Sequence, residues 1–372
     1  MEALVEISRF YGGNPDYVLA GGGNTSWKDK DTLYVKASGS SLAEAAADSF
    51  VKMDRNALAL IWEKEYPPSG PERESAVLAD IMASRNAGEE AKRPSVEVLL
   101  HDILPFSFVV HLHPALVNGL TCSRRGEEAM REIFGGKAVW IPSTNPGYVL
   151  SKKTKTAMDA YSVAHDGAAA VIFLQNHGVF VGDNGADGIK GKYDEIMRKI
   201  GACIKKKPDF SDEKRQLAGG HTGGAIDEII ETLTELAGAA VFLHSREITS
   251  LVKDRTSFAP VSSAFTPDHI VYAGSEPLFS EANTAAGIRA AWKSHAEKTG
   301  RNPKIAAARG LGVFGAAATE KAASLALDLF LDSVKVAVYS ESFGGPRFMT
   351  RDEIDFINNW EAERFRTSVS VR

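Results

Sequence analysis

Short apolar runs alternate along this chain with longer stretches in which apolar residues return every three or four positions. Leu33 to Lys36, Phe106 to His113 and Ala169 to Asn176 have the length of strands; Ser95 to Ile103 and Lys190 to Ile204 have helical periodicity. Interleaving of this kind predicts a mixed α/β fold. A charged and then Gly-rich span follows, from Lys205-Lys206-Lys207-Pro208 to Gly219-Gly220-His221-Thr222-Gly223-Gly224, and reads as a connection. Beyond it, Ile226 to Leu236, Glu281 to His295 and Thr319 to Val338 are helical, and Ala240 to His244 and Lys304 to Ala308 are strand-like. The predicted organisation is a first domain over 1–207, a connection over 208–224 and a smaller α/β domain over 225–372. FLQNHGVF (173–180) aligns with AARGLGVF (307–314), with only the Gly-Val-Phe ending identical. Two similar elements or a degenerate second copy both account for that; in a copy, Leu311 stands where His177 does.

Composition narrows the classes. The chain has 372 residues, 44% of them hydrophobic, with 43 Lys+Arg against 48 Asp+Glu and a net charge of -5. Such a chain can bury a sizeable core, which excludes disorder and small disulfide scaffolds. The intermixed charges lack the basic footprint that phosphate backbones select, so no nucleic-acid partner is expected. The longest apolar stretch, Ala168 to Leu174, is far short of the roughly 20 residues a bilayer span needs. Glu2 and Glu6 fall where a secretory signal would need basic and then apolar residues. Cys122 and Cys203 share no metal or redox spacing. A soluble, cytoplasmic protein without membrane association is the expectation.

The sharpest chemical feature is His111-Leu112-His113, which closes an apolar run just before Pro114. Side chains alternate along a strand, so both imidazoles project to one face and can grip one ion. His177 closes another apolar run, and two strands ending at one sheet edge would bring it to the pair. Three neutral imidazoles leave a coordination position open, which suits catalysis by Zn²⁺ or another divalent transition metal. Upstream, Pro94 reads as a helix start with Ser95 and Glu97 in the first turn. There Glu97 serves either as simple end-charging or as a general acid/base beside the metal. His101, one turn on, reads as a packed helix residue or an orienter. The loops GGGNTS (21–26) and VKASGS (35–40) expose backbone N–H groups and hydroxyls, and with Ser95 they can form a three-sided anion site. GLGVFG (310–315) spells G-x-G-x-x-G, but the helical pattern beyond it lacks the second strand and terminal acid of a dinucleotide fold.

GGGNTSWK (21–28), VKASGSSL (35–42), the segment from Arg93 to Ser123, IPSTNPGYVLS (141–151) and LQNHGVFVG (174–182) together resemble the class II aldolase/adducin family. RPSVEVLLH, FTPDHIVYAGSEPLF (265–279), GLGVFG and INNWEAERF (357–365) resemble its rhamnulose-1-phosphate aldolase-like branch, known as the front part of a bifunctional aldolase/short-chain dehydrogenase. The resemblance implies an α/β/α sandwich with a central, mostly antiparallel sheet. It further implies Zn²⁺ on His111, His113 and His177, Glu97 as acid/base, and a substrate phosphate on Gly23, Asn24, Ser38, Gly39 and Ser95. Val96 replaces a second phosphate-binding serine of the fuculose-phosphate branch. The family's aldehyde-oxygen donor is a tyrosine, for which Tyr148 is the candidate.

The implied reaction cleaves a deoxyketose 1-phosphate to dihydroxyacetone phosphate and a hydroxyaldehyde, with a Lewis acid spreading the charge of the ene-diolate. Epimerases and dehydratases on the same scaffold, and an adducin-like non-catalytic interaction protein, are the alternatives. A homo-oligomer, a tetramer by the resemblance, is expected. With the chain ending at Arg372 and no dehydrogenase part following, oxidation of the aldehyde is expected to occur elsewhere.

Overall fold

The first strands form where branched and aromatic residues alternate with polar ones: β1 (Asn24–Lys28), β2 (Thr32–Lys36) and β3 (Phe50–Asp54). They are followed by β4 (Phe108–Leu112), β5 (Val139–Ile141), β6 (Val171–Leu174) and β7 (Gly178–Asp183). This computed structural model describes residues 1–217 and 224–360. The seven strands make one sheet in the order β3-β2-β1-β4-β7-β6-β5. Every pairing is antiparallel except β5 with β6, which matches the expected mostly antiparallel sheet.

Alternation along β4 sets the layers. Phe108, Val110 and Leu112 face one way and pack with Val179, Val181 and the helix Ala186–Cys203, through Ile189, Tyr193, Ile196 and Ile200. Val109 faces the other way with Ile172, Leu174 and Phe180, covered by Leu100 and Leu104 and by Leu150 and Met158 of the helix Tyr148–His165. Helices thus cover both faces of an α/β/α sandwich.

A second sheet holds β8 (Lys214–Leu217), β9 (Ala239–His244), β10 (Leu278–Ser280), β11 (Ile305–Ala308) and β12 (Gly312–Ala317), in the order β10-β11-β12-β9-β8. Residues 214–217, assigned to the connection by composition, are therefore an edge strand paired to β9. Residues 218–223 of the Gly-rich segment, and 361–365 of the INNWEAERF motif, lie outside the described residues. The helices Ala225–Ala237 and Ala285–Thr299 cover one face of this sheet, and the helix Glu320–Ser340 covers the other.

The two halves meet where the helix Glu320–Ser340 lies on the helix Ala115–Thr121. Gly119 permits the approach: a Cβ there would stand 2.4 Å from the Cβ of Tyr339. Cys122 is fully buried at this seam, with its thiol 3.7 Å from the Phe265 carbonyl. GLGVFG occupies the β11–β12 hairpin rather than a strand-to-helix turn, so the dinucleotide spelling has no matching geometry. Among the described residues, no helix is long and apolar enough to cross a membrane.

Candidate metal centre and anion cleft

His111 sits in β4 opposite Phe180 of β7, and the two rings stack with centroids 3.9 Å apart. His113 lies just past the end of β4, and His177 lies in the turn between β6 and β7. Because β7 pairs with both β4 and β6, the turn places His177 over the end of β4. Gly178 is what lets it approach. A Cβ at 178 would fall 2.5 Å from the Leu112 carbonyl and 2.7 Å from the His113 ring.

The imidazoles converge through their Nε2 atoms. Nε2 of His111 lies 2.9 Å from Nε2 of His113 and 3.4 Å from Nε2 of His177. His111 donates from Nδ1 to the Val179 carbonyl at 3.1 Å, and His113 donates from Nδ1 to Asp268 Oδ2 at 2.6 Å. With the ring protons on Nδ1, the Nε2 lone pairs of both face the common point. Burial pushes the His177 pKa down to about 3, so this ring is neutral and ligand-competent at neutral pH.

Glu97 completes the cluster. Its Oε1 is buried without a hydrogen-bond partner, 3.4 Å from Nε2 of both His111 and His177. An orphaned carboxylate oxygen beside converging imidazole nitrogens leaves a polar site for a further group, either a cation on the imidazoles or a molecule bound to it. Ligand nitrogens sharing one tetrahedral zinc stand about 3.3 Å apart, given bonds of about 2.0–2.1 Å. The donor set fits a transition-metal ion, and His111, His113 and His177 would hold it.

The other carboxylate oxygen is held from behind. Asn24 donates to Glu97 Oε2 at 2.7 Å, His101 Nε2 donates to Asn24 Oδ1, and Ser26 donates to His101 Nδ1 at 2.7 Å. Burial drives the His101 pKa well below its ordinary value, which keeps the ring neutral and allows one nitrogen to accept while the other donates. His101 is thus packed and also orients Asn24. Lys28 caps this chain by donating to the His101 carbonyl, and burial lowers its pKa to about 7.

Helix placement differs from the expectation at one point. The helix starts at Val98, with Glu97 as its capping residue, and Pro94 instead forms a bridge with Ala37. Backbone hydrogen bonds from Ser38 to Arg93 and from Ser95 to Lys36 tie this segment to the end of β2, so it runs extended before the helix turns. The same ties bring Ser95 beside Ser38 and Gly39.

One cleft collects Gly23, Asn24, Ser38, Gly39 and Ser95 together with Glu97, His113 and His177. Gly23 has φ +64°, and a Cβ there would meet the His111 carbonyl at 2.9 Å, so the loop can pass this close only as glycine. Lys36, Pro146 and Pro267 also line the cleft. Lys36 is buried and donates to the Ser40 carbonyl at 2.6 Å, which holds the 36–40 loop closed. In the sequence its signal is the lysine that opens VKASGS, ahead of the small residues. Tyr148 is absent from this lining. Its ring packs against Trp62 and Tyr66, with centroids 5.8 and 5.2 Å away, which is the setting of a packing residue.

The family model for the Class II Aldolase and Adducin N-terminal domain matches residues 2–191. The chain belongs to that family. A relative from Bacillus subtilis (strain 168), described as the uncharacterized oxidoreductase YuxG, is 25% identical over 311 residues, covering 76% of this chain and 42% of the relative. The chain therefore spans less than half of that relative's length. Among solved structures, the N-terminal class II aldolase domain of a conserved protein from Thermoplasma acidophilum is 28% identical, covering 54% of this chain and 91% of that one, with a TM-score of 0.45. An L-fuculose 1-phosphate aldolase is 17% identical, covering 54% of this chain and 82% of that one, with a TM-score of 0.37. In this class II aldolase/adducin member, the matched residues 2–191 contain the three histidines and Glu97; Asp268, which contacts His113, lies outside them.

Proposed function

We propose that this class II aldolase/adducin member is a metal-dependent aldolase that cleaves a deoxyketose 1-phosphate to dihydroxyacetone phosphate and a hydroxyaldehyde. The observation that carries the reading is the orphaned Oε1 of Glu97, beside three converging imidazoles in a cleft that Gly23, Ser38, Gly39 and Ser95 also line. An adducin-like scaffold has no use for a buried carboxylate aimed at a ligand-competent triad. When bound, a divalent ion such as Zn²⁺ supplies Lewis-acid polarisation of the substrate's carbonyl and hydroxyl oxygens.

The chain's own residues supply position and a proton. Ser38, Gly39 and Ser95 would hold the phosphate, with Lys36 lining the same cleft, and would fix the sugar's carbon chain across it. Cleavage breaks C3–C4: the C4 hydroxyl gives its proton to the Glu97 carboxylate and becomes the aldehyde, and the bonding pair passes to C3, where that same proton is then needed. Glu97 delivers a proton to C3, and takes one in the reverse direction. Asn24 holds Oε2, so Oε1 is the atom left to face the reacting carbon. The substrate acts as a small-molecule partner, and a homo-oligomeric assembly in the cytoplasm is part of the same proposal.

The test is product analysis on a panel of ketose 1-phosphates with the metal-loaded chain. Dihydroxyacetone phosphate with an aldehyde of the remaining carbons supports the reading. Products with an unchanged carbon count would replace it with epimerase or dehydratase chemistry, and an absence of bound metal would favour the scaffold.

A further inference from the structure

Asp268 comes from the second half, 155 positions from His113 in sequence, yet its Oδ2 accepts the Nδ1 proton of that ligand at 2.6 Å. Both partners are largely shielded from water, with side-chain exposures of 10% for His113 and 7% for Asp268. Room for the carboxylate is built into the first half: a Cβ at Gly22 would stand 2.7 Å from Asp268 Oδ2. The segment that carries Asp268 is fastened to the metal centre at a second point. The side-chain amide of Asn176, next to His177, donates to the carbonyls of Phe265 at 3.0 Å and Arg347 at 2.8 Å. Pro267, between these anchors, reaches the cleft itself.

We propose that Asp268 is a positioning residue of the metal centre, supplied across the seam: it fixes His113 in the tautomer that leaves Nε2 for the ion. The proposal rests on the reading of the three histidines as a metal site. A carboxylate behind a ligating imidazole holds the ring's angle, sets its tautomer and raises its basicity as a ligand. His111 obtains the same service from a backbone carbonyl of its own sheet, whereas His113 obtains it from the other half of the chain. The second half thus takes part in holding the ion.

The experiment uses the full chain, loaded with Zn²⁺ and titrated with a competing chelator, comparing wild type with Asp268→Asn, Asp268→Ala and Lys335→Ala. Lys335 pairs with Asp16 across the same seam at 3.7 Å without touching the centre, and so controls for loosened packing. The expected result is a loss of zinc affinity of roughly 10–100-fold in both Asp268 variants and none in Lys335→Ala. Wild-type affinity in the Asp268 variants would overturn the proposal and leave the metal site standing; failure of the wild type to bind zinc would overturn both. A second measurement needs no variant to fold. Histidine-selective ¹⁵N NMR of the zinc-loaded wild type should show His113 protonated at Nδ1, and a proton on Nε2 would overturn the assignment.

Discussion

The β6–β7 and β11–β12 hairpins are built alike and armed differently. Each is antiparallel, each turns on one residue of positive φ, Asn176 at +57° and Gly310 at +72°, and each leads into Gly-Val-Phe. Their neighbours also correspond. β7 pairs antiparallel with β4 as β12 does with β9, and β6 pairs parallel with β5 as β11 does with β10. Register then sets Phe242 in the place of His111 and His244 in the place of His113, while Leu311 takes the column of His177. His244 donates from Nδ1 to the Leu311 carbonyl at 3.1 Å and has no imidazole partner on Phe242 or Leu311. The same scaffold therefore carries three converging imidazoles in one half and a single imidazole between Phe242 and Leu311 in the other. Side chains at three columns, rather than backbone shape, decide which half can hold an ion.

That contrast can be broken from the first half. His177→Leu, which writes the second half's residue into the first, should abolish retained zinc and cleavage together, a larger loss than the roughly 10–100-fold expected of an outer partner. Metal analysis beside turnover checks it. The reverse change, Leu311→His, should create no zinc site, because Phe242 offers no nitrogen. Next in size, Glu97→Gln should lower kcat by roughly 10²–10⁴-fold while leaving zinc bound, since it removes the proton carrier and keeps all three imidazoles. Loss of zinc in that variant would recast Glu97 as a ligand.

Smaller effects test how the halves are joined. Gly119→Ala drives a methyl into Tyr339 and should cost about 1–3 kcal/mol, seen as a lower unfolding midpoint. A pH series compares two buried lysines, one in each half. Lys28 donates to the His101 carbonyl in the first half, and Lys304 donates to the Val271 carbonyl at 2.5 Å in the second. Burial lowers both pKa values, that of Lys28 to about 7. Between pH 7 and the ordinary lysine value the unfolded chain binds the proton that folded Lys28 has released, so stability rises with pH in that window. Denaturant midpoints from pH 7 to 10 should rise more in wild type than in Lys28→Met; equal slopes would count against a neutral Lys28.

Local spacing made the three converging imidazoles legible, because His111 and His113 share a strand face and His177 precedes a glycine that its neighbours require. Gly23, Asn24, Ser38, Gly39, Ser95 and Glu97 were readable as motifs, and one cleft gathers them. What could not be read is what depends on the other half. Nothing near Asp268 in sequence marks it as facing His113, since the contact arises only when two sheets dock. The helix start was misplaced because Pro94 suits a first turn in isolation, while the bridge to Ala37 is a tertiary tie. Tyr148 carried a chemically apt hydroxyl, but Trp62 and Tyr66 claim its ring. Residues 214–217 look like a charged connection because an edge strand needs few apolar side chains.

Cys122 turns the seam into something that can be timed. Its thiol is sealed beneath Phe265 and burial pushes its pKa up, whereas Cys203 is exposed. An alkylating reagent should therefore modify one sulfur at once and the other only as often as the two halves part, so the slow phase becomes a clock for their separation.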